Sequence, residues 1–223
     1  MTTTNPLRIS PVQHVQAALG GVPVRIGDWE VMGHFLSPDS EARNVHERVG
    51  LADVSWLGKV DFKGDALRDA GGDLRARLLE YGIDEIWELG RGHWLGTFLQ
   101  TGHDSDLIEK IQESEAGSCF HVTDMSSVYA ALLLAGPNSR DVLNRLTELD
   151  VLNEAFPNLS ARETGLAHVH ALLLRDDLDE AIPAFQLLFA RSFGEHVWDA
   201  VMEAGGQFGI LPFGLNAMNI INQ

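Results

Sequence analysis

The chain has 223 residues, 45% apolar and 22% charged, the balance of an ordinary globular protein of one large domain or two small ones. Thirty-two Asp and Glu against sixteen Lys and Arg give a formal charge of −16. That argues against nucleic acid, whose phosphates need a basic footprint, and against an anionic membrane surface. The single cysteine, Cys119, excludes an intramolecular disulfide and a Cys-based zinc or iron–sulfur centre.

The longest apolar runs, 130–135 and 171–174, are far shorter than the roughly 20 residues of a spanning helix. Residues 1–6 read as a frayed tail without the basic start and apolar stretch of a signal peptide, so a cytoplasmic protein is expected. Ser37 can cap a helix, and Pro38 suits its first position. The helix is expected over 40–49, with Gly50 as a left-handed stop. Residues 59–64 alternate, with Val60 and Phe62 inward and Lys59, Asp61 and Lys63 outward, as in a half-buried strand. A helix over 65–79 follows, with a joint at Gly71-Gly72. Strands at 86–89 and 93–99 form a hairpin across Gly90-Arg91-Gly92. Residues 104–115 are helical, with Leu107, Ile108 and Ile111 on one face and Gly117 as the stop.

A similar plan returns in the second half. An apolar strand at 128–135 precedes a helix opened by Gly136-Pro137 and running to about Leu146. Strands at 169–174 and 185–190 form a hairpin across the acidic loop 176–180. Ser192 and Glu195 have capping-box spacing for a helix that ends near Gly205-Gly206. Strand, glycine and helix with Arg-Asp occur in "GKVDFKGDALRD" and again in "YAALLLAGPNSRDVL", which suggests two related subdomains. The expected class is α+β with mostly antiparallel sheets flanked by helices.

Chemistry-bearing motifs are few. His168-x-His170 would share one face of a strand, and His93 and His103 flank another, but neither pair has metal-ligand spacing, so no metal is expected. Cys119, beside Phe120 in an apparent strand, reads as a small buried hydrophobe. No nucleophile elbow, dinucleotide fingerprint or P-loop is present. The five tryptophans, Trp29, Trp56, Trp87, Trp94 and Trp198, suit core packing, or a pocket for a flat heterocycle. Asp84-Glu85 before a strand is either an acidic turn or a carboxylate placed to anchor a cation or act as a base.

The run "NVHERVGLADVSWLGKVDFKGDAL" at 44–67 resembles the N-terminal signature of the glycine-cleavage T-protein family, the folate-binding aminomethyltransferases. Arg48, Gly50, Leu51, Asp53, Val54, Ser55, Leu57, Gly58, Lys59 and Gly64 fit its pattern. "VTDMSSVYAALLLAGPNSRDVLNRL" and "VWDAVMEAGGQFGILPFGLNAMNII" resemble later segments of the family in the right order. The stretch from "LDVLNEAF" to "ARSFGEHVW" is similar to the gamma subunit of heterotetrameric sarcosine oxidase.

The resemblance implies a T-protein-like fold over residues 7–223, lacking that family's C-terminal barrel. Its two intertwined α+β subdomains would lie at roughly 50–120 and 121–223, with 7–49 completing the second. It implies tetrahydrofolate as cofactor and transfer of a methylene or aminomethyl unit from glycine or a methylated amine. Asp84 takes the place of the catalytic, folate-orienting carboxylate, with Trp56, Leu57 and Gln100 lining the pocket. Other family anchors are missing. One glycine precedes Asp84 where the family has two, and the folate-anchoring Glu before Phe185 is absent. "GLNAMNIIN" offers Met218, Asn219 and Asn222 where a folate-binding Arg belongs, and an amide cannot replace a guanidinium fork. The alternative is a non-catalytic gamma-type subunit packed on a flavin-containing oxidase. Expected partners are therefore folate, a small amine donor and an oxidase or carrier-protein subunit.

Overall fold

The computed structural model describes residues 7–68, 72–99, 104–115 and 117–222. Gln100, His103, Gly71 and the 1–6 tail lie outside the described residues. The chain forms two compact units, one of Met1–Ser55 with Ala130–Gln223 and one of Trp56–Tyr129.

In chain order, β1 (Arg8–Ile9), α1 (Gln13–Ala18), β2 (Val22–Ile26), β3 (Trp29–His34), α2 (Pro38–Glu47) and β4 (Gly50–Asp53) begin the first unit. The second unit holds β5 (Gly58–Lys63), α3 (Gly72–Glu80), β6 (Glu85–Gly90), β7 (His93–Phe98), α4 (Asp104–Ser114) and β8 (His121–Asp124). β9 (Tyr129–Ala135) carries the chain back. α5 (Ser139–Leu143), β10 (Ser160–Leu166), β11 (Val169–Arg175), β12 (Ala184–Ala190), α6 (Gly194–Gly205), β13 (Leu211–Pro212) and α7 (Leu215–Ile221) then complete the first unit. The class is α+β, and antiparallel pairing dominates; β1–β3 and β13–β4 are parallel.

The first unit is built on a six-stranded sheet of order β10-β11-β12-β9-β4-β13. Its central strands are apolar on both faces. Ala130, Leu132 and Leu134 of β9, with Leu173, Leu187 and Phe189, pack with Val142 and Leu143 of α5 and with Trp198 and Val201 of α6. Leu133 and Ala135 belong to the opposite cluster, with Ala42 and Val45 of α2, Phe213, and Ala217 of α7. Continuous apolar runs are what a strand covered on both faces requires. A separate sheet of order β1-β3-β2 contains the β2–β3 hairpin, which carried no clear sequence signal.

The second unit is a four-stranded sheet, β6-β7-β5-β8, with helices on one face. Val60, Phe62, Ile86, Trp94 and Phe98 meet Leu74 and Leu78 of α3 and Ile108 and Ile111 of α4. The opposite face carries Asp61 and His93, joined Oδ1 to Nε2 at 2.5 Å, and Trp87, whose Nε1 donates to Thr97 Oγ1 at 3.2 Å.

Ser37 caps α2 through the Ser40 N–H at 3.2 Å, with Pro38 first in the helix. The β6–β7 and β11–β12 hairpins form as expected. All five tryptophans are buried, which favours core packing.

Several expectations are corrected. Gly50 is not a left-handed stop; it opens β4, and a Cβ there would lie 2.6 Å from Val45, so close packing accounts for the glycine. Lys59 is buried at 1% exposure and donates Nζ to the Leu57 carbonyl at 2.8 Å. The expected 65–79 helix is a 3₁₀ turn at Asp65–Leu67 and then α3. The helix after Pro137 is the short α5. Ser192 makes no cap, because a 3₁₀ turn at Arg191–Phe193 runs directly into α6. Cys119 is exposed and lies before β8, where its carbonyl accepts from Ala66 N–H; Phe120 takes the buried position.

Gly58 is a steric necessity. A Cβ there would lie 2.2 Å from the Phe98 ring, and Phe98 is itself 2% exposed. Gly58→Ala is expected to cost about 1–3 kcal/mol through overpacking, measured as a lower midpoint in urea at unchanged slope.

Candidate functional site

Strand register brings Asp84, Trp56 and Leu57 to one end of the second unit's sheet; the fourth predicted residue, Gln100, lies outside the described residues. Gly58 pairs with Phe98, and Glu85 pairs with Thr97, so the starts of β5 and β6 and the end of β7 coincide. Asp84 extends β6: its N–H donates to Thr97 O at 2.9 Å, and its Oδ2 accepts from Leu99 N–H at 2.7 Å. Oδ1 has no hydrogen-bond partner among the described residues, and Asp84 is exposed. The carboxylate is therefore oriented through one oxygen and open at the other. Leu57 lies two strands away, about 10 Å at ordinary strand spacing. Its turn is fixed by nearly buried Trp56 on one side and by the Lys59 Nζ bond on the other. Leu99, beside Asp84, is 56% exposed. This end of the sheet combines an open carboxylate with the exposed Leu99 side chain.

The positions 218, 219 and 222 fall on and just after α7, where Met218 packs into an apolar cluster. The predicted His168-x-His170 face does not form. Ala167 (φ 48°) and His168 (φ 66°) make the β10–β11 turn, so β11 begins only at Val169. That turn is tied by Ala167 N–H to Leu146 O at 2.9 Å and by His196 Nε2 to Ala167 O at 2.8 Å.

A second constellation, in the first unit, escaped the sequence reading. Arg175, 3% exposed at the end of β11, forks onto Asp177 and also donates to Phe156 O and, at 2.7 Å, to Asn153 Oδ1. Arg140 of α5 reaches the same Asn153 oxygen at 2.6 Å. Burial, and then the neighbouring Arg175, hold the Arg140 guanidinium below its ordinary pKa, although Asp177 opposes this. Beside the network is a hollow of about 610 Å³, lined among others by Asn153, Asn158, Arg175, Asp177, Asp179 and Glu180. The only sequence signal was Arg175 placed directly before the acidic loop.

Among the described residues no group of three or more His, Cys, Asp or Glu could hold a metal ion, and no helix is long and apolar enough to cross a membrane.

Residues 86–222 match the family model for the GCVT N-terminal domain. The chain belongs to that family. The aminomethyltransferase of Symbiobacterium thermophilum is 27% identical over 96% of this chain and 63% of its own length. The sarcosine oxidase subunit alpha of Rhizobium meliloti is 27% identical over 97% of this chain and 25% of its own. The chain thus spans under two thirds of the first and a quarter of the second. The glycine cleavage system aminomethyltransferase T from Bartonella henselae has the same fold, with a TM-score of 0.77 at 12% identity over 97% of this chain and 62% of that one. A chain of the heterotetrameric sarcosine oxidase from Corynebacterium sp. U-96, solved with pyrrole 2-carboxylate, matches with a TM-score of 0.64 at 22% identity. That match covers 90% of this chain and 96% of the other, so the two are of similar length. The T-protein resemblance read from the sequence is borne out at the level of the family; the 44–67 run lies before the family-model match.

Burial, and then the charge of Asp177, raise the pKa of Asp176. The folded state thus disfavours its ionised form. That penalty is absent where Asp176 is protonated in both states, and it grows as pH rises from the unfolded value through the raised folded one. Asp176→Asn is expected to raise Tm at pH 7 and leave it unchanged at pH 3, in paired thermal melts.

Proposed function

We propose that this chain binds tetrahydrofolate at the Asp84 end of the second unit's sheet, for transfer of a one-carbon unit from glycine or a methylated amine. The observation that carries this reading is the Asp84 carboxylate, fixed by Leu99 N–H through one oxygen and open at the other. A carboxylate in that state can accept from ring N–H groups and orient a pterin. Tetrahydrofolate supplies the nitrogen that takes up the one-carbon unit. Asp84 holds that ring in register and steadies positive charge that develops near it. Trp56 and Leu57 form the wall on the β5 side; Gln100 is carried over from the family resemblance as a further lining residue. The apolar Trp56 and Leu57 side chains exclude water.

Calorimetric titration with tetrahydrofolate tests the site. Micromolar binding is expected for the wild type, and Asp84→Ala should weaken it at least tenfold, about 1.4 kcal/mol. Unchanged affinity in the variant removes Asp84 from the site.

A second reading is that the chain is a gamma-type subunit of a sarcosine oxidase-like complex and does no chemistry itself. The match to a chain of similar length in a heterotetrameric oxidase favours it, as do the family anchors missing at Met218 and Asn219. Size-exclusion chromatography of the native complex, purified through a tag on this chain, checks it. Co-elution with flavin absorbance is expected; elution of this chain as a flavin-free monomer counts against it.

A further inference from the structure

Three segments of the first unit are tied together at the β10–β11 turn. The loop after α5 supplies Leu146, whose carbonyl accepts the Ala167 N–H at 2.9 Å. α6 supplies His196, whose Nε2–H donates to the Ala167 carbonyl at 2.8 Å. Thr147 and Thr164 join the same loop to β10 through their hydroxyls, 2.9 Å apart. Ala167 and His168 both hold a left-handed φ, 48° and 66°, which an alanine adopts only at a cost. The bonds to Leu146 and His196 keep Ala167 there, and the turn they fix sets the position of His168.

These segments enclose a hollow of about 290 Å³. Its apolar lining is Leu146, Ala167, Ala200 and Ala204. Its charged and titratable lining is Arg145, Glu203, His168 and His196. His196, Ala200 and Glu203 share one face of α6 at i, i+4 and i+7, while Val197, Trp198 and Val201 turn into the core. Arg145 and Glu203 thus bring opposite charges to one small hollow, yet among the described residues neither forms an ion pair or a side-chain hydrogen bond. The His168 ring is without a partner there as well. Glu148 lines a second hollow, of about 450 Å³, which shares Arg145, Leu146 and His168 with the first.

An unmet guanidinium and an unmet carboxylate on one hollow suit a ligand that carries both charges itself. A simple anion would be opposed by Glu203, and a simple cation by Arg145. A zwitterion satisfies both, and the alanines of α6 leave room beside them for an apolar side chain. The volume lies at the lower end of ligand pockets, so the ligand is small. We propose that this hollow binds a small apolar α-amino acid. The Arg145 guanidinium forks onto its carboxylate, with the His168 ring as a further donor. Glu203 accepts from its ammonium group, and Leu146, Ala200 and Ala204 cover its side chain. The site belongs to the first unit and uses no residue of the Asp84 site, so the inference rests on neither reading above.

The test uses the intact ¹⁵N-labelled chain with L-valine as probe. Saturable amide shifts are expected at residues 167, 168, 200 and 203. Isobutylamine is valine without its carboxylate, and 3-methylbutanoate is valine without its ammonium group; each should bind roughly tenfold more weakly or worse. Arg145→Gln and Glu203→Gln should each weaken L-valine by a similar factor at unchanged Tm, whereas Glu148→Gln should bind as the wild type does. Absence of saturable shifts at millimolar L-valine overturns the proposal. So does equal binding by either fragment, full binding by the Arg145→Gln or Glu203→Gln variant, or loss of binding in Glu148→Gln. The two fragments are read on the wild-type chain, so the outcome does not hang on any variant folding. No arm contains folate or a partner subunit, so these results stand apart from both readings above.

Discussion

β9 has no polar face, and the architecture of the first unit follows from covering both of its sides. Ala130, Leu132 and Leu134 point one way and Leu133 and Ala135 the other. Each leucine left in water would forgo roughly 1.5–3 kcal/mol. The strand must therefore lie inside a sheet, and it sits between β12 and β4. Helices must close both sides, and α5 with α6 cover one while α2 with α7 cover the other. Two of these helices come from the ends of the unit's sequence, so the requirement of one strand ties together residues some 180 positions apart.

The second unit answers a different demand. Its sheet buries Val60, Phe62 and Trp94 under helices, while the other face is organised by polar contacts, Asp61 with His93 and Trp87 with Thr97. Polar groups at strand ends are then held by backbone rather than by side-chain packing. Asp84 is the clearest case, bound at both its amide and its carboxylate by the last residues around β7. Such anchoring sets a charge in a defined direction without burying it.

Sequence reading recovered what periodicity and local turn chemistry encode. Ser37-Pro38 located α2, the Gly90–Gly92 turn located the β6–β7 hairpin, and the apolar run before Gly136 located β9. It failed where tertiary context decides. Lys59 alternates as a solvent-facing residue but is buried, with its ammonium turned onto the Leu57 carbonyl. Ser192 has capping spacing, but the backbone is already turning before it. At the candidate site, motif order singled out Asp84 as a candidate, but its bond to Leu99 depends on the β6–β7 register. The arginine network was illegible because Arg140, Asn153 and Arg175 are distant in sequence and join only when β11 packs beside α5.

The second unit is continuous in sequence, whereas the first is divided around it. During synthesis the 56–129 segment can collapse on its own as it emerges. β4 must wait for β9, its hydrogen-bonded neighbour, which is made some eighty residues later. Folding of the first unit therefore carries a long-range closure that the second does not, and it should be the slower of the two. Once closed, the chain leaves β4 after Asp53 and returns along β9, where Asp53 pairs with Leu132. The two points of departure and return lie one strand spacing apart, about 4.8 Å, the arrangement in which one domain can be inserted within another without disturbing the host sheet.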